Sequence, residues 1–195
     1  MGTVKSLLLG MCFVLGACTS QTSTVQTTEK GTQWEWQNGT IVVKTPERPA
    51  GQKSVLGLTT PKLEAVRVGF VGLGMRGPGA VERFTYIPGT QVVALCDYEE
   101  ARADKCQELL KKASMPKAAV YSGDKGYEEL CKRDDIDLVY IAADWLHHFP
   151  VAKCALENGK NVAIEVPSAM NLQECWDLIN LSESTRKHCF ILENC

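Results

Sequence analysis

The chain has 195 residues, 45% of them hydrophobic and 23% charged, with a formal net charge of −2. This is the composition of one soluble globular domain of ordinary size. No arginine- or lysine-rich stripe is present, which excludes a nucleic-acid partner held by its phosphate backbone.

The first residues form a unit of their own. Lys5 gives a weak positive start, and Leu7 to Ala17 is an apolar run of 11 residues. A membrane-spanning helix needs about 20. The run instead fits the apolar part of a secretory signal. It ends in Leu15-Gly16-Ala17-Cys18, followed by Thr19-Ser20, which resembles a bacterial lipoprotein signal. That resemblance implies cleavage of residues 1–17 and lipid attachment at Cys18. An ordinary signal peptide with a chance cysteine is the alternative. Multiple acyl chains hold a protein to a membrane surface without spanning it. The expectation is an exported protein, lipid-anchored in a bacterial envelope on its periplasmic or surface side.

Residues 18–63 read as a polar tether and extension with little structure. Thr19 to Thr28 is rich in Ser, Thr and Gln. Trp34 and Trp36 cover a surface patch or bind a partner, and Gly39 to Val43 has the makings of a short strand. Pro46, Pro49 and Gly51 interrupt again. Lys53 to Leu63 is expected to pack on the domain that begins at Glu64.

From Glu64 strands alternate with helices. The predicted strands are 65–71, 91–96, 119–121, 137–142, 161–164 and 188–192. The predicted helices run from about Gly74 to before Pro88, then over 99–112, 124–131, 148–157 and 171–184. Asn158-Gly159 closes the fourth helix. Strands two, four and six are nearly continuous apolar runs, as strands covered on both faces require. Repeated βα units with short connections imply a parallel, doubly wound α/β sheet of Rossmann type, ordered 3-2-1-4-5-6. The sequence stops within three residues of the last strand, so residues 64–195 are expected to be a cofactor domain with a second, substrate domain outside them.

Gly72-Leu73-Gly74-Met75-Arg76-Gly77 follows the first strand directly. Gly72 permits the tight turn, Gly74 lets backbone approach a pyrophosphate, and Gly77 lets the helix lie against the sheet. Free N–H groups at the helix start bind phosphate oxygens, and Arg76 adds a charge-assisted contact. Asp97 ends the second strand, 25 residues after Gly72. A carboxylate there accepts hydrogen bonds from the adenosine ribose and repels a 2′-phosphate, which favours NAD over NADP. Asp97 also reads as a cap for the helix beginning near Glu99. Ala143 to His148 and Glu165-Val166-Pro167 follow strands four and five, on the same rim as the phosphate turn. His147 or His148 alternatively caps the next helix, and Glu165 alternatively sits on the surface. The two histidines make no metal site, since no third ligand is spaced to join them. His188 reads as structural.

Of 9 cysteines, Cys12 and Cys18 belong to the leader and its cleavage point. The remaining seven include no CxxC pair, so zinc and redox dithiols are poorly supported. Buried thiols are the plain reading. Export permits a disulfide, but the sequence names no partner.

With the glycine turn, Asp97, Trp145 to His148 and Glu165-Val166-Pro167 in view, residues from about 57 to 195 resemble the amino-terminal half of the glucose–fructose oxidoreductase and inositol dehydrogenase superfamily. Within it the resemblance is closest to exported, NAD-dependent α-N-acetylgalactosaminidases. The resemblance implies cofactor contacts at Met75, Arg76, Asp97, Trp145, Leu146, His147, His148, Glu165, Val166 and Asn194. Dehydrogenases of this superfamily usually carry Glu-Lys-Pro after strand five, the lysine arranging substrate and proton. Here Val166 stands at the middle position, as in the glycosidase branch.

The implied reaction differs from hydrolysis by two carboxylates. NAD takes hydride from C3 of the terminal sugar, the ketone acidifies C2–H, the aglycone leaves from C1, water adds, and hydride returns to C3. The resemblance places base, acid and sugar-holding groups in the second domain, with His148 a candidate neighbour of the reaction centre. It implies glycans bearing N-acetylgalactosamine as substrates. It is compatible with a homo-oligomer, since dimer contacts in the superfamily often use the second domain. A sugar or cyclitol dehydrogenase and a non-catalytic dinucleotide-binding protein are the alternatives.

Overall fold

The computed structural model describes residues 26–27 and 33–193. The signal segment, Cys18 and Asn194, three of the sequence-based expectations, lie outside them.

A small antiparallel sheet comes first: β1 (Gln26–Thr27), β2 (Gln33–Gln37) and β3 (Thr40–Val43), in that order. The turn between β2 and β3 is Asn38-Gly39, both at positive φ (51° and 78°). Two-residue hairpins of this hand favour that dipeptide, because their twist matches that of the strands. The short strand expected over Gly39 to Val43 is β3, and the expectation of little structure before it is corrected by β1 and β2. Trp34 and Trp36 alternate along β2 and pair with Val43 and Ile41. Alternation flanking Asn-Gly was the available signal.

Residues 44–63 form no helix or strand, yet part of this stretch is fastened to the body. Arg48 makes two hydrogen bonds to the Glu183 carboxylate, at 2.8 and 3.0 Å. Gln52 reaches Asn180 and Glu183, and Arg186 donates to the Lys53 and Ser54 carbonyls.

The main sheet contains β4 (Val66–Val71), β5 (Thr90–Asp97), β6 (Ala119–Ser122), β7 (Leu138–Ile141), β8 (Asn161–Glu165) and β9 (Cys189–Leu192). Its order is β6-β5-β4-β7-β8-β9, and every neighbouring pair is parallel. The expected order 3-2-1-4-5-6 is therefore the observed one. The helices are α1 (Gly77–Phe84), α2 (Glu100–Lys112), α3 (Gly126–Cys131), α4 (Trp145–Glu157) and α5 (Leu172–Thr185).

Alternate residues of the central strands feed two apolar layers. Val68 and Phe70 of β4 join Ala80, Val81, Ala103 and Leu110 of α1 and α2 on one face. Val71, Val139, Ile141 and Ile164 join Leu130, Val151, Ala155 and Leu178 of α3, α4 and α5 on the other. Burial of a Leu, Ile or Val side chain contributes about 1.5–3 kcal/mol, so these layers supply most of the cohesion. Phe70, Phe84 and Tyr140 form an aromatic triangle with ring centroids 5.1–5.8 Å apart. It anchors the end of α1 on β4 and β7.

Two helix boundaries differ from expectation, each for a local reason. α1 starts at Gly77, not near Gly74, and ends at Phe84. Pro78 sits in its first turn, where a missing N–H costs least. α4 starts at Trp145 rather than His148, because Asp144 caps it: its Oδ1 accepts from Leu146 N at 3.0 Å. The cap is thus Asp144, not His147 or His148. α5 begins as expected, with Asn171 accepting from Glu174 N and Glu174 accepting from Met170 N. These two bonds satisfy two otherwise free donors at the helix start.

Candidate dinucleotide site

The site is built at the carboxyl ends of β4, β5, β7 and β8. Gly72 leaves β4 with φ +89°, a conformation that side chains rarely adopt. A Cβ there would stand 2.3 Å from Ala143 N. The turn is thus pressed against the end of β7, and only glycine fits. At Gly77 a Cβ would stand 2.1 Å from Gly72 O, so the start of α1 closes onto the turn. Gly74 is different. Its missing Cβ would meet only Arg102 Nη1, at 3.6 Å, and faces open space. Two glycines therefore serve packing, and one keeps an approach clear.

Asp97 locks this turn in place. The residue is 5% exposed. Its Oδ2 accepts from Leu73 N at 2.6 Å and its Oδ1 from Glu99 N at 2.9 Å. Gly72 N also donates to Cys96 O at 2.9 Å. Both expected roles for Asp97 thus meet a third: its carboxylate staples the glycine turn to the end of β5. It also supports the entry to α2 through Glu99 N, while Arg102 lies 3.4 Å away. Oδ1 accepts from both Glu99 N and Arg102 Nη1, whereas Oδ2, with one bond from Leu73 N, retains acceptor capacity.

The cleft has a volume of about 740 Å³, within the range of small-molecule and cofactor pockets. Of the expected contact residues, Gly72, Gly74, Met75, Arg76, Asp97, Trp145, His147, His148, Glu165 and Val166 line it. Gly77 lies behind the turn, and Leu146 projects away, 73% exposed.

His148 is 1% exposed. Its Nδ1 lies 2.7 Å from Pro167 O and its Nε2 3.0 Å from Ala143 O. Both ring nitrogens face carbonyl oxygens, so the ring bridges the loops after β7 and β8 instead of presenting a free base. His147, half-exposed, sits 2.6 Å from Asp144 Oδ2. Burial pushes the Asp144 carboxyl up, but the hydrogen bond with His147 and the capping bonds outweigh it and hold the group below the usual carboxylate range.

Glu165 is buried, which sets aside the alternative of a surface acid. Tyr140 Oη donates to its Oε1 at 2.9 Å. Burial first, and this bond second, push the Tyr140 phenol up to about 12. Val166, exposed on the cleft wall, joins Pro167 through a cis peptide.

Arg102, Tyr98, Asp124 and Tyr127 also line the cleft and were missed in the sequence. Arg102 follows Asp97 by five residues, and the pairing becomes visible only once α2 is placed. Tyr127 arrives from α3, and burial raises its phenol.

Known proteins align with this architecture. A family profile described as "Oxidoreductase family, NAD-binding Rossmann fold" matches residues 66–192. A protein of Phocaeicola vulgatus named glycosyl hydrolase family 109 protein 4 is 80% identical over 100% of this chain and 38% of its own length. The glycosyl hydrolase family 109 protein 1 of Bacteroides thetaiotaomicron is 58% identical over 98% of this chain and 40% of its own. The chain thus spans about two fifths of the length of these curated relatives. Among solved structures, a myo-inositol dehydrogenase from Lactobacillus casei in complex with NAD(H) and myo-inositol superposes with a TM-score of 0.57 at 24% identity, over 65% of this chain and 36% of that one. That likeness is one of fold. The chain belongs to the oxidoreductase family with an NAD-binding Rossmann fold, and over nearly its whole length it is similar to relatives named glycosyl hydrolase family 109.

Proposed function

We propose that the complete protein is an NAD-dependent glycosidase of α-N-acetylgalactosaminidase type, acting on glycans that end in N-acetylgalactosamine. The observation that carries the cofactor reading is the cradle at Gly74, open to the cleft between two glycines that packing makes obligatory. A diphosphate fits there, against backbone N–H groups at the start of α1 and beside Arg76. Asp97, already holding the turn, offers the spare acceptor capacity of Oδ2 to a ribose hydroxyl, and its charge opposes a 2′-phosphate. NAD, when bound, supplies reversible hydride transfer at C3 of the sugar.

The chain's own residues position and shield. Trp145 and Val166 line the cleft, where they would shield the bound dinucleotide. Tyr140 fixes the orientation of Glu165. Val166 brings no ionisable group where the dehydrogenases of the superfamily place lysine, which supports elimination chemistry over simple alcohol oxidation. His148, engaged at both nitrogens, is a positioning residue. Base, acid and sugar-holding groups are assigned to the additional length the relatives possess. Export with a lipid anchor at Cys18 completes the proposal, supported by the leader sequence.

Incubating the complete gene product with an aryl α-N-acetylgalactosaminide, while following NADH absorbance, tests this. Aglycone release without net NADH is expected. Stoichiometric NADH without release would establish the dehydrogenase instead. NAD binding with neither activity would leave a non-catalytic binding protein.

A further inference from the structure

Arg102, in the first turn of α2, lines the cleft between the glycine turn and Asp97. Its Nη1 donates to Asp97 Oδ1 at 3.4 Å. The same nitrogen is 3.6 Å from where a Cβ on Gly74 would stand. Its Nη2 donates to Glu99 Oε1 at 2.9 Å. Two carboxylates thus hold one guanidinium, and the shorter bond is the one to Glu99. Glu99 occupies the N-cap position of α2, yet its side chain makes no capping bond. It engages Arg102 instead, although an exposed pair of this kind contributes little to stability. Given the reading of the cleft as a dinucleotide site, on which this rests, we propose that Glu99 sets the preference for NAD over NADP by holding Arg102, the cation beside the carboxylate assigned to the ribose.

The discrimination is a matter of charge and of free donors. A carboxylate at the end of the second strand repels a 2′-phosphate, whereas an arginine close to that position accommodates one. This chain carries both. Asp97 and Glu99 bring two negative charges and Arg102 one positive charge, so one negative charge is in excess. A phosphate monoester adds about −1.5 to −2. Both contacts of Arg102 are far shorter than the Debye length of about 8 Å, so salt screens this cluster only in part. NAD brings a hydroxyl where NADP brings the phosphate. The hydroxyl donates to Asp97 Oδ2, the oxygen with spare acceptor capacity, and needs no cation.

Removing the Glu99 carboxylate changes both quantities. The excess negative charge disappears, and Nη2 of Arg102 is released to donate to a phosphate oxygen beside Nη1, a charge-assisted contact that suits the planar guanidinium. Arg76, the other arginine in the cleft wall, is at the N-cap of α1, on the side assigned to the diphosphate. Arg102 is the one bonded to Asp97.

The test is calorimetric titration of the complete gene product with NAD and with NADP. Wild type is compared with Glu99→Ala, Arg102→Gln and the double variant, each checked by its melting temperature. Glu99→Gln replaces Glu99→Ala if that variant folds poorly. Wild type is expected to bind NAD at least about tenfold more tightly than NADP. Glu99→Ala is expected to bind NADP at least about tenfold more tightly than wild type does, as one added charge-assisted bond implies, with NAD affinity within about threefold. The gain is expected to vanish in the double variant. Unchanged NADP affinity in the folded Glu99 variant would overturn the proposal while leaving the NAD site intact. So would a gain that survives in the double variant, since loss of a negative charge would then suffice without Arg102. Wild-type protein that binds the two dinucleotides equally would overturn it as well, and wild-type protein that binds neither would overturn both the proposal and the NAD reading.

Discussion

Three glycines in six residues do different work. Gly72 and Gly77 face backbone atoms at distances no real Cβ tolerates, whereas Gly74 faces the cleft. Gly72→Ala is expected to destabilise the protein by about 3 kcal/mol or more, through strain and overlap with the end of β7. Gly74→Ala is expected to change stability by less than about 1 kcal/mol. Thermal or denaturant unfolding of the two variants checks this, and equal losses would contradict the division of roles. The identity of these residues was legible in the sequence, because a glycine turn between a strand and a helix, answered by an acid, has a physical rationale at each position. Their separate duties were not, because they depend on where Ala143 and Gly72 O lie. Asp97 illustrates the same limit. Its position predicted a ribose contact, but its bonds to Leu73 N and Glu99 N need the folded turn to be seen.

Helices and strands were legible to the extent that local signals set them. α5 starts within one residue of its expected beginning at Asn171, and α4 ends before Asn158-Gly159, as expected. The start of α4 was missed because two histidines drew attention from Asp144, the better cap. β3 was legible as a short strand over Gly39 to Val43, whereas its partner β2 was missed because polar residues around it suggested little structure, although Asn38-Gly39 marks the turn. Long-range pairs are out of reach of local reading. Arg67 on β4 binds Asp137 before β7 with its backbone N–H, its Nε and its Nη2, at 2.7–2.9 Å. Chiefly through the side-chain bond from Arg67, Asp137 is held below the usual carboxylate range. A carboxyl depressed in the folded state contributes stability that is complete above its unfolded value, near about 4, and is lost as pH falls through the lower folded value. The melting-temperature gap between wild type and Asp137→Asn is therefore expected to be constant from about pH 5 to 7 and to narrow below about pH 4. A gap independent of pH would contradict this role.

At the scale of the molecule, the strand order followed from the repetition of βα units and the right-handed crossover rule. The position of the cleft followed from the order, since ligands collect where the strand order reverses. What the sequence could not place is the fastening of the N-terminal extension. Arg48 and Gln52 reach Glu183 across more than 130 residues, and no local pattern announces such a pair. This strap docks on α5, away from the cleft, leaving the rim formed by β4, β5, β7 and β8 accessible. The central claim is that this rim holds NAD with its diphosphate at Gly74. Calorimetric titration of the complete gene product with NAD, comparing wild type with Gly74→Val, tests it most directly. The account predicts one NAD per wild-type chain and at least about a hundredfold weaker binding to the variant, equivalent to about 2.7 kcal/mol, with its melting temperature preserved. Equal NAD affinity in a folded Gly74→Val protein, or no binding to wild type, would contradict it.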